Sequence, residues 1–241
     1  MFSSKNIKAV LFDLDGTLRH NIPSGGDVFS AHAIEIGLRI SDEDKNRAGR
    51  WEHYYFANSP ELKKDIEEFK DEAFWVNFGR RRLVALGCNP KDAAELSISM
   101  SAYMREHYKP EVHVREDSRA LLSALQRDGY ILGVISNRNE PFHDELKSLN
   151  LDSHFNFSLA GGEVNSFKPD TGIFEHGLKR AGVNAEEAIY VGDNYYADII
   201  GSHRAGLTPV LYDPNILFPE ADCAVIQTFS ELHDMFKKTV Q

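Results

Sequence analysis

Asp13 and Asp15 stand two positions apart, directly after the apolar run Ala9-Val10-Leu11-Phe12. Residues two apart on an extended chain point the same way, so the two side chains can enter one pocket. Two anions held that close need a cation. Without one, mutual repulsion raises one of their pKa values; with Mg²⁺, a carboxylate and a backbone carbonyl become natural hard-oxygen ligands. Gly16 permits a tight turn after the pair, and the Thr17 hydroxyl can bond the backbone exposed there. An isolated Asp-x-Asp is also a common turn or helix cap. The full string Phe12-Asp13-Leu14-Asp15-Gly16-Thr17-Leu18 is far more specific.

The run before Asp13 reads as a strand buried on both faces of a parallel sheet. Similar runs recur at Ile131 to Ile135, Phe157 to Ala160, Ala188 to Val191, Pro209 to Tyr212 and, more weakly, Cys223 to Ile226. Helical punctuation separates them: Pro169-Asp170 opens a segment that closes at Gly182, and Asn194 opens one that closes at Gly206. Alternating strand and helix predicts an α/β fold, a Rossmann-like parallel sheet whose ligands bind beyond the carboxyl ends of the strands. The stretch from Asn21 to Arg115 breaks the rhythm. It has no convincing β run, a capping box at Ser41-Asp42-Glu43-Asp44, and cap-proline pairs at Ser59-Pro60 and Asn89-Pro90. Residues 1–20 and 116–241 are thus expected to form the core, and 21–115 a helical insertion over the mouth of the site. Gly25-Gly26 offers a hinge between them.

The string at Asp13 resembles the nucleophile motif of the haloacid dehalogenase-like hydrolase superfamily, and three further motifs similar to that family's follow in order. Ser136-Asn137 ends the run Val134-Ile135, Lys168 precedes Pro169, and Tyr190-Val191-Gly192-Asp193 is followed by Asp198. The resemblance spans Ile7 to Phe236 and puts the insertion where the family has its α-helical cap. It implies a phosphatase or a phosphomutase of the β-phosphoglucomutase type, with Mg²⁺ as cofactor and a small phosphorylated molecule as substrate. A catalytically silent module that binds a phosphorylated metabolite is a further alternative.

The resemblance also assigns roles, each with a physical reason. Phosphoryl transfer spreads negative charge over three equatorial oxygens, which Mg²⁺, Lys168 and Ser136 would stabilise. Asn137 would touch phosphate as well. Asp13 would attack phosphorus to give an aspartyl-phosphate, while Asp15 would protonate the departing oxygen and then deprotonate water. Asp13, Asp15 and Asp193 would hold the metal, with Asp198 and Thr17 supporting them from behind. Dehalogenases of the superfamily attack carbon and do not use the second acid, so Asp15 points to phosphate. Phosphonate cleavage needs a cap lysine of lowered pKa, and Lys45, Lys63, Lys64 and Lys70 all sit in charged contexts. Arg19-His20 stands where relatives often carry an acidic residue.

Composition sets outer bounds. The chain has 241 residues, 42% hydrophobic and 27% charged, which suits a soluble globular protein. A formal charge of −10 disfavours nucleic acid and anionic membranes. Arg80-Arg81-Arg82, the densest basic run, reads as a solvated helix face. No apolar stretch has the ~20 residues of a membrane span, and the start lacks the apolar segment of a signal peptide, so a cytoplasmic monomer or weak homodimer is expected. Cys88 and Cys223 read as packed thiols. Two aromatic groups, Trp51 with His53 to Phe56 and Phe74-Trp75 with Phe78, read as helix-on-helix packing, and Arg47 and Arg50 as candidates for a second anionic group on the substrate.

Overall fold

A computed structural model describes residues 6–238 and divides them into two compact units, one of residues 6–20 with 113–238 and one of 21–112. Residues 113–115, expected in the insertion, belong with the sheet-bearing unit.

That unit is built on a parallel sheet of order β5-β4-β1-β6-β7-β8. The strands are β1 (Ala9–Phe12), β4 (Ile131–Ser136), β5 (Phe157–Ala160), β6 (Ala188–Gly192), β7 (Thr208–Tyr212) and β8 (Ala224–Ile226). Every residue of β1 is fully buried, as a strand covered on both faces requires. Alternation then sorts its side chains. Val10 and Phe12 pack with Val134, Val191 and Val210 against α6 (Glu116–Arg127) and α11 (Phe229–Lys238). Leu11 packs with Ile135 and Tyr190 against Ile173, Phe174 and Leu178 of α9 (Thr171–Ala181). Each large apolar side chain buried this way contributes about 1.5–3 kcal/mol. Asp170 stands just before the first turn of α9, and Gly182 ends the helix at a φ of 67°, the left-handed stop that glycine makes easy.

The chain leaves β1 and reverses direction across it: β4 and β5 lie on one side, β6 to β8 on the other. The carboxyl ends of β4, β1 and β6 therefore stand side by side, and the residues that follow them are Asn137, Asp13 and Asp193. This is the switch point where open α/β sheets bind ligands.

The second unit is helical: α1 (Gly25–Glu35), α2 (Asp42–Phe56), α3 (Pro60–Glu68), α4 (Asp71–Ala85) and α5 (Pro90–His107). The predicted caps are present at Ser41, Ser59 and Asn89. Two short strands absent from the sequence reading, β2 (His20–Ile22) and β3 (Glu111–His113), pair with each other where the chain passes between the units. Three residues each, mostly exposed, they carry no apolar alternation to reveal them. The expected Gly25-Gly26 hinge is instead the first turn of α1, because the Ser24 side chain accepts a hydrogen bond from the Asp27 amide and starts the helix there.

Two of the three arginines of α4 depart from a solvated face. Arg82 is buried, paired with Glu52, and lies 5.3 Å from the Phe29 ring centre. Arg81 reaches Asp65, which is 1% exposed and also accepts from the Tyr55 hydroxyl at 2.9 Å. Arg47 is likewise occupied, by Asp44 and the carbonyl of Ala85. The aromatic groups do pack helix on helix, with Phe78 of α4 receiving Trp51, Tyr55 and Phe56 of α2. Among the described residues no helix is long and apolar enough to cross a membrane.

Asp65 is the anchor of the helical unit. Burial pushes its carboxyl upward, but the bonds from Arg81 and Tyr55 outweigh burial and hold it below its usual 3.8. Its stabilisation is complete above about pH 4 and is lost as pH falls through the lower folded-state value. Asp65→Ala leaves Arg81 without its buried counter-ion, and is expected to cost about 3–5 kcal/mol in urea denaturation at neutral pH.

Candidate active site

Asp13 continues β1 by one residue, its amide bonded to the Val191 carbonyl of β6 at 2.9 Å. Its carboxylate is 4% exposed. One oxygen, Oδ1, accepts from Lys168 Nζ at 2.6 Å, while Oδ2 is buried and has no hydrogen-bond partner. Lys168, 3% exposed, also donates to Asp198 Oδ1 at 2.7 Å and to the Tyr190 hydroxyl at 3.1 Å. Asn137 holds the Lys168 main chain from both sides: its Oδ1 accepts from the Lys168 amide at 2.6 Å and its Nδ2 donates to the Lys168 carbonyl at 2.9 Å. The Asn137 side chain is therefore a brace for Lys168, and the contact with phosphate expected from its backbone or side chain is left to the backbone.

Asp193 follows β6. Its Oδ1 accepts from the Thr17 hydroxyl, and its amide donates back to the same oxygen, both at 3.0 Å. Gly16 has a φ of 92°, and a Cβ there would lie 2.7 Å from the Asp193 Cγ, so glycine is required by backbone and by space alike. After Asp193 the chain makes a π-helical turn, Tyr195–Ile199, capped by the Asn194 side chain. The turn carries Asp198 back beneath the site, fully buried, with Oδ2 accepting from the Asn194 amide at 2.9 Å. Such turns recur at functional sites because they re-aim one side chain.

Ligand oxygens of Asp13, Asp193 and Asp198 all lie within 4.8 Å of one another. Three carboxylates thus face one ammonium. Burial pushes the Asp13 carboxyl up to about 7 against the pull of Lys168. Burial also holds Asp193 well above its usual range, reinforced by the charges of Asp13 and Asp198. For Lys168 burial works the other way, but Asp13 and Asp198 outweigh it and keep the ammonium protonated. The residues fit a hard divalent cation on two counts: an all-oxygen donor set and excess negative charge.

The Asp15 side chain stands apart from this cluster. Arg138 grips it through Nε at 2.9 Å and Nη2 at 2.8 Å, and Arg19 adds a bond at 3.0 Å. Glu145 closes the ring by pairing with both arginines. Burial raises the Asp15 carboxyl, yet the Arg138 hydrogen bonds and the charges of Arg138 and Arg19 hold it below its ordinary value. Of the metal ligands expected from sequence, Asp15 is left with its main-chain carbonyl to offer, while Asp198 stands in the carboxylate cluster. Ser136 is buried beside Asp15, its hydroxyl 3.4 Å from Oδ2. Sequence reasoning missed Arg138, Glu145 and the hydroxyl of Tyr190. The last had a signal, since a polar group inside a buried strand needs a partner.

A parallel sheet thus gathers a buried Asp-Lys pair and further carboxylates at its switch point, where open α/β sheets bind their ligands. Residues 10–211 match the family model of haloacid dehalogenase-like hydrolases, and the chain belongs to that family. It is 28% identical over 208 residues to a ribulose-1,5-bisphosphate 5-phosphatase of Halopiger xanaduensis, covering 86% of this chain and 85% of that one. It is 30% identical over 212 residues to a glyceraldehyde 3-phosphate phosphatase of Pyrococcus furiosus, covering 86% and 81%. Among solved structures, a 2-haloacid dehalogenase of Pseudomonas syringae pv. tomato aligns with a TM-score of 0.56 at 26% identity, over 96% of this chain and 99% of that one.

The crowding of carboxylates has a measurable consequence. Asp193→Asn relieves repulsion in the metal-free protein, so its melting temperature is expected to rise, by about 2–4 °C for each kcal/mol relieved in a chain of this size. A divalent cation bound at these carboxylates would raise the wild-type melting temperature when Mg²⁺ is added, and that rise is expected to be largely lost in the same variant.

Proposed function

We propose that this chain is a Mg²⁺-dependent phosphatase that hydrolyses a small phosphorylated metabolite through an aspartyl-phosphate on Asp13. The observation that carries the reading is the asymmetry of the Asp13 carboxylate, with Oδ1 tied to Lys168 and Oδ2 buried without a partner. A nucleophile must keep one oxygen free of competing donors, and a fixed second oxygen orients it. The phosphatase names of the two relatives support the same reading.

In the first step Oδ2 of Asp13 forms a bond to phosphorus as the bond from phosphorus to the ester oxygen breaks, and the departing oxygen takes a proton from Asp15. In the second, water attacks the aspartyl-phosphate, Asp15 takes its proton, and phosphate leaves as the Asp13 carboxylate is restored. Lys168 neutralises charge that would otherwise repel the anionic substrate from Asp13. Ser136 supplies a hydroxyl donor for a phosphoryl oxygen. Mg²⁺, held by Asp13 and Asp193 with the Asp15 carbonyl, would supply the remaining positive charge. Arg138 and Arg19 suit the ionised, proton-accepting form of Asp15, so donation requires Asp15 to leave a guanidinium. An acid at position 15 has no task in a reaction at carbon that expels halide, which favours phosphate over dehalogenation.

Asp13→Asn is expected to abolish phosphate release with Mg²⁺ while the circular dichroism spectrum and melting curve stay those of a folded protein. Turnover retained in that variant would overturn the assignment. Asp15→Asn should separate substrates by leaving group: a loss of roughly 10²–10⁴ for alkyl phosphates, the usual worth of a general acid, and a much smaller loss for p-nitrophenyl phosphate, whose phenolate leaves unaided. Equal losses on both would remove Asp15 from the acid role.

A further inference from the structure

Tyr190 is the one polar side chain within the buried strand β6, and no step above uses it. Its position is unusual. In the sheet it is in register with Leu11 of β1, and β1 separates β6 from β4. The phenol nevertheless reaches β4, donating to the Ile135 carbonyl at 3.2 Å, so the ring spans the face of β1 beneath Asp13. Phe174 holds that ring edge-on, with centroids 4.9 Å apart. With its proton committed to Ile135, the hydroxyl turns a lone pair to Lys168 Nζ at 3.1 Å.

An ammonium has three protons. For Lys168 the acceptors are Asp13 at 2.6 Å, Asp198 at 2.7 Å and Tyr190 at 3.1 Å, and the next, the Ile135 carbonyl, lies at 3.4 Å. Two of the three acceptors are carboxylates whose charge changes with the reaction or with what binds beside them. The third is neutral, and burial raises its pKa far above the ordinary phenol value, so it adds direction without adding to the surplus of negative charge. Remove the hydroxyl and the Ile135 carbonyl loses the nearer of its two side-chain donors, leaving Lys168 Nζ at 3.4 Å. Lys168 is then drawn toward that main-chain oxygen and away from Asp13.

We infer that Tyr190 is a positioning residue, which holds the Lys168 ammonium on Asp13 by filling its third hydrogen bond and keeping the Ile135 carbonyl from capturing it. The inference rests on the phosphatase reading of the site and adds a residue to it.

Tyr190→Phe removes one oxygen and keeps the ring packed on Phe174. The affinity for orthovanadate with Mg²⁺ and the turnover of p-nitrophenyl phosphate are measured for wild type, Tyr190→Phe, Lys168→Met and the double variant. Loss of a hydrogen bond to a charged group predicts vanadate binding weaker by roughly tenfold or more, and kcat reduced more than KM is changed. In the Lys168→Met background the same substitution should add nothing to the loss of vanadate affinity, because its effect passes through the ammonium. A purely structural phenol would weaken binding by the same factor in both backgrounds, and that result overturns the inference. So does a Tyr190→Phe protein with wild-type turnover and vanadate affinity. If Tyr190→Phe were recovered unfolded, Tyr190→Met gives the same comparison without the hydroxyl. A wild-type protein that neither releases phosphate nor binds vanadate would instead overturn the phosphatase reading, and this inference with it.

Discussion

Lys168 carries a full positive charge to a place water does not reach, and a charge there is tolerable only beside compensating groups. Asp13 and Asp198 provide them at 2.6 and 2.7 Å. The dependence is mutual, because three neighbouring carboxylates without the ammonium would be an uncompensated cluster of buried negative charge. Much of the surrounding architecture serves to keep this cation in register. Asn137 fixes its main chain, the π-helical turn after Asp193 brings Asp198 under it, and Tyr190 meets it from β6. Asp13 after β1, Tyr190 of β6 and Asp198 of the following turn thus converge on one nitrogen atom.

The Asp15 ring shows a second way of managing charge in the same unit. At the lysine the groups are buried and unbalanced, three carboxylates to one cation, and the pattern invites a divalent ion. Around Asp15 the count is even, two acids to two arginines, and the side chains are between 18% and 40% exposed. Partly exposed groups can regain water when such a pair opens, which the buried cluster cannot. The proton transfers proposed for Asp15 therefore fall to the more exposed ring and not to the buried cluster.

Much of this was legible in the sequence. The strands showed because a sheet covered on both faces needs continuous apolar runs, and the nucleophile string, Ser136, Lys168, Asp193 and Asp198 stood at or near their ends. What could not be read was the direction of side chains. Asn137 sits where a phosphate ligand was expected, yet its amide is spent on Lys168. Nothing in the sequence marks Arg138, because only the turn into α7 (His143–Ser148) brings Glu145 back to hold it. In the helical unit the basic run of α4 lay hidden for a related reason. Sequence shows charge but not its counter-ion, and Glu52 and Asp65 lie on other helices.

The Asn137 brace also bears on how such a site can change over time. Residue 137 and residue 168 are 31 positions apart, and two hydrogen bonds join them directly. Between them the chain forms α7, β5 and the short helix Gly161–Val164. Because the lysine is fixed by a side chain from the neighbouring strand end, its position does not depend on the length or course of that intervening segment. A change of length in the loops of that segment that spares β5 and the Arg138-Glu145 pair would leave this tie between the strand end and the lysine in place.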